Sequence, residues 1–303
     1  MQDKKTMLFI YNPHSGKAQL KNQLSNIIDL FVKAGYVVTV HPTQEALDAR
    51  RMAKENSGHY DLIVCSGGDG TINEVVDGVM ECEADARSVL GYIPTGTVND
   101  FASSLKLSKN VLKAAENITV GTPFSCDIGS FNQEYFTYIA AFGLFTDVAY
   151  QTPQQTKNML GRPAYILEGM KRLSSIKPYN MRFETDEQVI EDEFLYGMVT
   201  NSVSVGGFKG ICGKHVKLDD GLFEVTLIKM PKNVIELQAI INAVIKRESN
   251  PEYMYSFRTA KLHVTSEEAV EWTLDGEFGG SEVEVWIENH KQAVQIITTP
   301  KEK

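Results

Sequence analysis

Three short stretches carry the residue types of a phosphate-handling site: Ser66-Gly67-Gly68-Asp69-Gly70-Thr71-Ile72-Asn73, Pro94-Thr95-Gly96-Thr97-Val98-Asn99-Asp100 and Leu274-Asp275-Gly276-Glu277. The first two are glycine turns, which let backbone N–H groups approach an anion closely. Each follows a strand-like run, and the first opens directly into a helix-like one, whose N-terminus favours negative charge. Two such turns at the same end of neighbouring parallel strands form a cradle, and a nucleotide is the ligand it suits. The plainer reading of the first turn is a strand-to-helix loop in which Asp69 or Thr71 caps the helix.

The elements that must hold these turns can be read from periodicity. Met7 to Tyr11 is a strand, closed by the loop Asn12-Pro13-His14-Ser15-Gly16-Lys17. Leu20, Leu24, Ile27, Ile28 and Phe31 recur at helical spacing, and Gly35 ends that helix. Tyr36 to His41 reads as a strand and Glu45 to Asn56 as a helix. Leu62 to Cys65 with Ile72 to Met80, and then Val89 to Ile93, continue the alternation. A βαβα series calls for a parallel sheet covered by helices.

From Cys126 onward strands follow strands: 136–141, 179–185, 191–200, 223–229, 261–265, 270–274, 283–287 and 294–298, with helices near 164–175 and 233–245. The predicted fold class is therefore α/β with two domains. Residues 1–125 form a nucleotide-binding α/β domain with a parallel sheet. Residues 126–303 form a β-rich sandwich that takes the substrate, and the last ten or so return towards the first domain.

Composition narrows the classes. A chain of 303 residues with net charge −9 has no global basic field, which argues against a nucleic-acid partner. Its start is too poor in apolar residues for a signal peptide, and Tyr138 to Phe145 is too short to span a bilayer. Cys65, Cys82, Cys126 and Cys212 lack metal-type spacing and read as reduced thiols of a cytoplasmic protein. Gly16-Lys17-Ala18 lacks the remainder of a P-loop, and Gly68-x-Gly70 lacks the third glycine of a dinucleotide fold.

Asn12-Pro13-x-Ser15-Gly16, Gly67-Gly68-Asp69-Gly70-Thr71-x-Asn73-Glu74, Gly96-Thr97-x-Asn99-Asp100-Phe101, Asp219-Asp220-Gly221-Leu222 and Asp275-Gly276-Glu277 occur in an order that resembles the diacylglycerol kinase catalytic-domain superfamily, and most of all its bacterial soluble members. The resemblance implies an NAD kinase/phosphofructokinase-like first domain, a β-sandwich second domain and an active site in the cleft between them. It also implies transfer of phosphate from ATP to the hydroxyl of diacylglycerol, giving phosphatidic acid. Gly68, Asp69, Gly70, Thr71, Ile72, Asn73 and Glu74 would wrap the phosphates, with Asn12, Pro13, His14, Ser15 and Gly16 on the opposite wall. Thr43 and Thr97 would reach the nucleotide, and Asp69 would hold Mg²⁺ directly or through water. For Thr43 the plainer role is a helix cap, and for His14 a solvated loop position.

Glu277 is the expected general base, since the acceptor hydroxyl must give up its proton as the new bond forms. Asp275 is the second carboxylate, a partner for water or metal. Lys217, Asp220 and Leu222 match a structural Mg²⁺ site built from two carbonyls and a carboxylate; a tight Asp-Gly turn needing no ion is the alternative. Alternative acceptors are phosphatidylglycerol, a sphingoid base or a soluble alcohol, and a non-catalytic nucleotide or lipid sensor is a reading of another class. One feature lies outside the resemblance: Lys157, Arg162, Lys171, Arg172, Lys177 and Arg182 accompany a single acid, Glu168. This stretch is a candidate for transient contact with the inner face of the membrane, where the lipid resides; a solvated basic helix is the alternative. A homodimer is compatible with the sequence.

Overall fold

The computed structural model describes residues 5–16, 19–143, 177–206, 208–209, 216–246 and 250–299. Its first part alternates strand and helix. β1 (Lys5–Tyr11) pairs in parallel with β2 (Tyr36–Pro42) on one side and β3 (Leu62–Gly67) on the other, and β3 pairs in parallel with β4 (Val89–Pro94). Met7, Leu8, Phe9 and Ile10 are all fully buried, as a strand covered on both faces requires. Leu8 and Ile10 join the cluster of α2 (Asp48–Asn56) and α3 (Asp69–Met80). Met7 and Phe9 face α1 (Gln19–Lys33) and α5 (Val111–Val120), with a short α4 (Asp100–Ser104) between β4 and α5. Each large side chain buried in these layers contributes roughly 1.5–3 kcal/mol.

The later strands are antiparallel to one another and extend the same sheet through a parallel pairing of the last strand with β4. Its path runs β13 (Met254–Thr259), β12 (Phe223–Lys229), β9 (Val189–Thr200), β7 (Ile139–Gly143), β14 (Lys261–Leu274), β15 (Glu277–Thr298), β4, β3, β1, β2. β5 (Thr122–Phe131), β6 (Glu134–Phe136) and β8 (Tyr179–Glu184) attach to its side, β10 (Ser204–Val205) and β11 (Phe208–Lys209) form a separate antiparallel pair, and α6 (Val234–Lys246) follows β12. An aromatic core fills this half: Phe142 lies against Trp272 with ring centroids 4.9 Å apart, and Phe183 meets Phe194 edge-on at 5.1 Å.

The strands expected at 283–287 and 294–298 are one 22-residue strand, β15, which absorbs a register shift between His290 and Val294 instead of turning. Near its end Ile296 stands opposite Leu90 of β4, so this strand joins both halves of the sheet. A boundary at 126 falls inside β5, which pairs with β15 along much of its length. The expected strand 136–141 is broken at Thr137 and Tyr138, whose backbone N–H groups donate to the Asp275 carboxylate. The predicted helix 164–175, Cys212, His215 and most of the basic stretch (Lys157, Arg162, Lys171 and Arg172) lie outside the described residues. Within that stretch Lys177 pairs with Glu268, and Arg182 with Glu184 at 2.5 Å.

Candidate active site

The turns after β1, β3 and β4 meet at one end of the parallel strands. Asn12 N–H donates to the Ser66 carbonyl (2.9 Å), and Thr95 N–H and Gly96 N–H donate to the Gly67 carbonyl (2.8 and 3.2 Å). The contact is backbone on backbone. A Cβ built on Gly96 would lie 2.6 Å from Gly68 Cα, and one on Gly16, at φ +66°, would lie 2.2 Å from the Thr95 carbonyl oxygen. At Gly16 and Gly96 a side chain would collide with backbone, so only glycine lets these turns pack this closely.

The contacts around these turns are specific. Thr95 Oγ1 donates to Ser15 Oγ at 3.2 Å, and exposed His14 donates its N–H to Asn12 Oδ1 at 2.9 Å, closing a local turn that includes Pro13. Thr43 N–H donates to the Tyr11 carbonyl at 2.9 Å, just before Asn12. The N-cap of α2 is Leu47 without any side-chain cap, so Thr43 does not serve as that helix's cap. Thr97 is exposed on the β4–α4 turn.

Within 68–74 the roles divide. Gly68 is the N-cap of α3, and its carbonyl accepts the N–H groups of Thr71 and Ile72 at 3.1 and 3.2 Å. Thr71 folds its side chain over Gly67, and Ile72 is fully buried in the core. Ile72 shares helical spacing with Val75, Val76 and Val79, and that spacing marks it as a packing residue. Asn73 Oδ1 is buried with no partner among the described residues. Glu74 Oε2 accepts from Ala49 N–H at 3.2 Å at the start of α2. Burial raises the Glu74 pKa, hydrogen bonds from the start of α2 oppose this, and the charge of Glu277 raises it further.

Asp69 Oδ1 accepts from Phe101 N–H at 3.3 Å, at the first turn of α4. Burial first, and the neighbouring Asp100 second, push the Asp69 carboxyl up. Asp100 is itself buried and accepts from the Ser204 hydroxyl at 2.7 Å. The sequence reading used Asp100 only as part of a motif; its place in the first turn after a glycine turn was the available signal. Two carboxylates that repel each other beside an anion cradle are a donor set a divalent cation would relieve. No group of three or more His, Cys, Asp and Glu that could hold a metal occurs among the described residues. A cation at Asp69 would thus draw its other ligands from phosphate oxygens and water.

The third stretch is a two-residue hairpin turn. Asp275 (φ 52°) and Gly276 (φ 86°) are both left-handed, joining Leu274 to Glu277. Asp275 is buried, and its carboxylate accepts from Thr137 N–H (2.6 Å), Thr137 Oγ1 (2.7 Å), Tyr138 N–H (2.9 Å) and Ile139 N–H (3.0 Å). Burial pushes its pKa up to about 6 against the pull of those donors. The Tyr138 hydroxyl donates to the Asp275 carbonyl at 3.0 Å and sits within the field of Asp275, Asp69, Asp100 and Glu277; its pKa is raised, chiefly by burial. Glu277 is exposed, and its Oε1 would stand 3.0 Å from a Cβ on Gly70. The turn carries Glu277 to the first turn of α3.

The Lys217–Leu222 segment bonds to other residues. Asp220 accepts from Arg258 and, at 3.2 Å, from Leu222 N–H. Asp127 fastens this loop to β15, accepting from Gly221 N–H (2.6 Å) and Gln292 N–H (2.7 Å). A cation held by Asp220 with the carbonyls of Lys217 and Leu222 would have to share that carboxylate with the Arg258 guanidinium.

Glycine turns packed together at one end of parallel strands, with the exposed Glu277 carboxylate against Gly70, mark this as an α/β protein of the glycine-turn class. The chain belongs to the diacylglycerol kinase catalytic-domain family. Residues 6–131 match that domain. A diacylglycerol kinase of Bacillus subtilis (strain 168) is 38% identical over 274 residues, covering 89% of each chain. One of Staphylococcus saprophyticus is 33% identical over 297 residues, covering 97% of this chain and 96% of its own. A diacylglycerol kinase crystal structure from Bacillus anthracis str. Sterne superposes with TM-score 0.77 at 26% identity over 99% of both chains.

Proposed function

We propose that this chain is an ATP-dependent lipid kinase that phosphorylates the free hydroxyl of diacylglycerol to give phosphatidic acid. The observation that carries the reading is the approach of Glu277 to Gly70, two residues along the chain from the Gly68 that packs against Gly96. The names of its relatives point to the same activity.

In this reading the Gly68–Gly70 backbone and the α3 N-terminus cradle the phosphates, and Asn12 to Gly16, Asn73, Thr43 and Thr97 line the nucleotide. Glu277 accepts the proton of the acceptor hydroxyl as that oxygen bonds to the terminal phosphorus, whose bond to the bridging oxygen breaks so that ADP leaves. Asp275 is a positioning residue: it anchors the turn to residues 137–139 so that Glu277 reaches the cradle. Asp69 would hold Mg²⁺, whose charge offsets that of the phosphates during transfer. Lys217, Asp220 and Leu222 are proposed as a second, structural Mg²⁺ site. The acceptor remains in the bilayer, so the enzyme works from the cytoplasm at the inner membrane face.

Radiolabelled ATP with diacylglycerol in mixed micelles tests this. The parent should form labelled phosphatidic acid, and Glu277→Gln and Asp69→Ala should not, while both stay folded. Undiminished product from Glu277→Gln would remove the base.

A further inference from the structure

Tyr92 of β4 and Asn99, the residue before α4, are almost wholly buried, at 1% and 4% exposed. The Tyr92 hydroxyl donates to the Gly67 carbonyl at 3.3 Å and stands 3.5 Å from Asn99 Oδ1. The same carbonyl accepts the Thr95 and Gly96 N–H groups, so three donors from β4 and the turn after it meet on one oxygen of the first glycine turn. Asn99 has left-handed backbone (φ 57°) at the N-cap of α4, where an asparagine side chain ordinarily accepts from an N–H of its own helix. Here it makes no such bond. Its Nδ2 donates back to the Gly96 carbonyl at 2.8 Å, and the Phe101 N–H of α4 goes to Asp69, from the first turn, at 3.3 Å. Each glycine turn is thus tied at a carbonyl by a buried side chain: Gly67 by Tyr92 and Gly96 by Asn99.

We propose that Tyr92 and Asn99 are positioning residues that hold the two glycine turns in the arrangement a bound triphosphate needs. The inference rests on the nucleotide reading above. Both side chains are too deeply buried to meet ATP, so their effect on its binding passes through the turns. A phenylalanine would fill the Tyr92 site with the same ring; the hydroxyl adds a desolvation cost that its bond to the Gly67 carbonyl offsets. Asn99 likewise gives up capping its own helix to restrain Gly96. Turns already held in their binding geometry take an anion without first having to order, so loosening them weakens ATP binding and leaves the chemical step alone.

The test uses the full chain with ATP and diacylglycerol in mixed micelles. Tyr92→Phe removes only the hydroxyl, and Asn99→Gly removes the amide while keeping a residue that accepts left-handed backbone. Tyr60→Phe, which loses a hydroxyl bonded to Thr39 Oγ1 at 3.2 Å, is the control. KM for ATP should rise about three- to tenfold in Tyr92→Phe and at least as much in Asn99→Gly, with kcat and KM for lipid held within about twofold. The dissociation constant of ATP, measured by calorimetry, should rise by the same factor. Tyr60→Phe should leave all of these at parent values. A lowered melting temperature with unmoved KM for ATP in both test variants overturns the inference, since the two residues would then serve the fold alone. An equal rise in KM for lipid, a loss confined to kcat, or an equal rise in Tyr60→Phe overturns it too. Should Asn99→Gly fail to fold, Tyr92→Phe decides by itself. A parent that binds no ATP defeats the nucleotide reading, whereas a parent that binds it, with KM for ATP unmoved in the variants, defeats only the positioning assignment.

Discussion

The Glu277 carboxylate lies over Gly70 so closely that a Cβ on that glycine would come within 3.0 Å of Oε1. A side chain separated by some 200 residues of sequence is thereby brought to the helix turn that follows the first glycine turn. Replacing Glu277 with Gln keeps the shape and removes the proton acceptor. Phosphatidic acid formation should fall by about 10²–10⁴ in kcat, with KM for ATP and the unfolding midpoint little changed. Steady-state kinetics on labelled ATP decide it, and a loss confined to KM would point to binding instead.

The contact between the two glycine turns yields a second expectation. A Cβ on Gly96 would meet Gly68 Cα at 2.6 Å and Asn99 Oδ1 at 2.7 Å. The first obstacle is backbone and cannot swing aside. Gly96→Ala should cost about 1–3 kcal/mol of stability and raise KM for ATP more than KM for lipid. Denaturant unfolding together with titration of both substrates separates the effects.

Much of this was legible in the sequence because glycine and short-range periodicity report local geometry. The βα units were found within a few residues, since buried runs such as Met7 to Ile10 and helical spacing such as Leu20 to Phe31 state their own form. The glycine turns were legible for the same reason. What was not legible depends on partners remote in sequence. Asp275 looked like a metal or water ligand because nothing near it in sequence shows that Thr137, Tyr138 and Ile139 donate to it. Glu74 looked like part of the phosphate loop, although Ala49 takes its carboxylate. Residues 283–287 and 294–298 were read as separate strands because Glu288, Asn289, His290, Lys291 and Gln292 interrupt the apolar pattern, whereas one strand, Glu277–Thr298, carries these polar residues with a register shift.

Asp275 offers a third test. Four donors converge on its carboxylate, and an asparagine amide supplies one acceptor oxygen and turns N–H groups towards the remaining donors. Asp275→Asn should lose about 2–4 kcal/mol of stability. Because the turn it anchors carries Glu277, kcat should drop even at temperatures where the variant is fully folded. Circular dichroism melting with kinetics on the folded protein checks both parts. Full stability in this variant would contradict the anchoring role.

The last expectation concerns Asp77, on α3 below the cradle. It is buried, its Oδ1 has no hydrogen-bond partner among the described residues, and Arg50 Nη1 stands 3.9 Å from Oδ2. Burial pushes its pKa up to about 8; Arg50 opposes the shift, while Asp275, Glu134 and Glu81 add to it. An unfolded aspartate titrates near about 3.9. Between those values the folded chain keeps a proton that the unfolded chain has lost. This group therefore makes stability fall as pH rises from about 4 to about 8, with no further change above. Asp77→Asn is neutral at every pH and removes the dependence. Near pH 4 the variant should match the parent, and by pH 8.5 it should be more stable by roughly 5 kcal/mol at most. Urea unfolding of both proteins across this range measures the difference directly, free of contributions common to the two. A gap that stays constant with pH, or that narrows as pH rises, would show that Asp77 ionises normally in the folded protein.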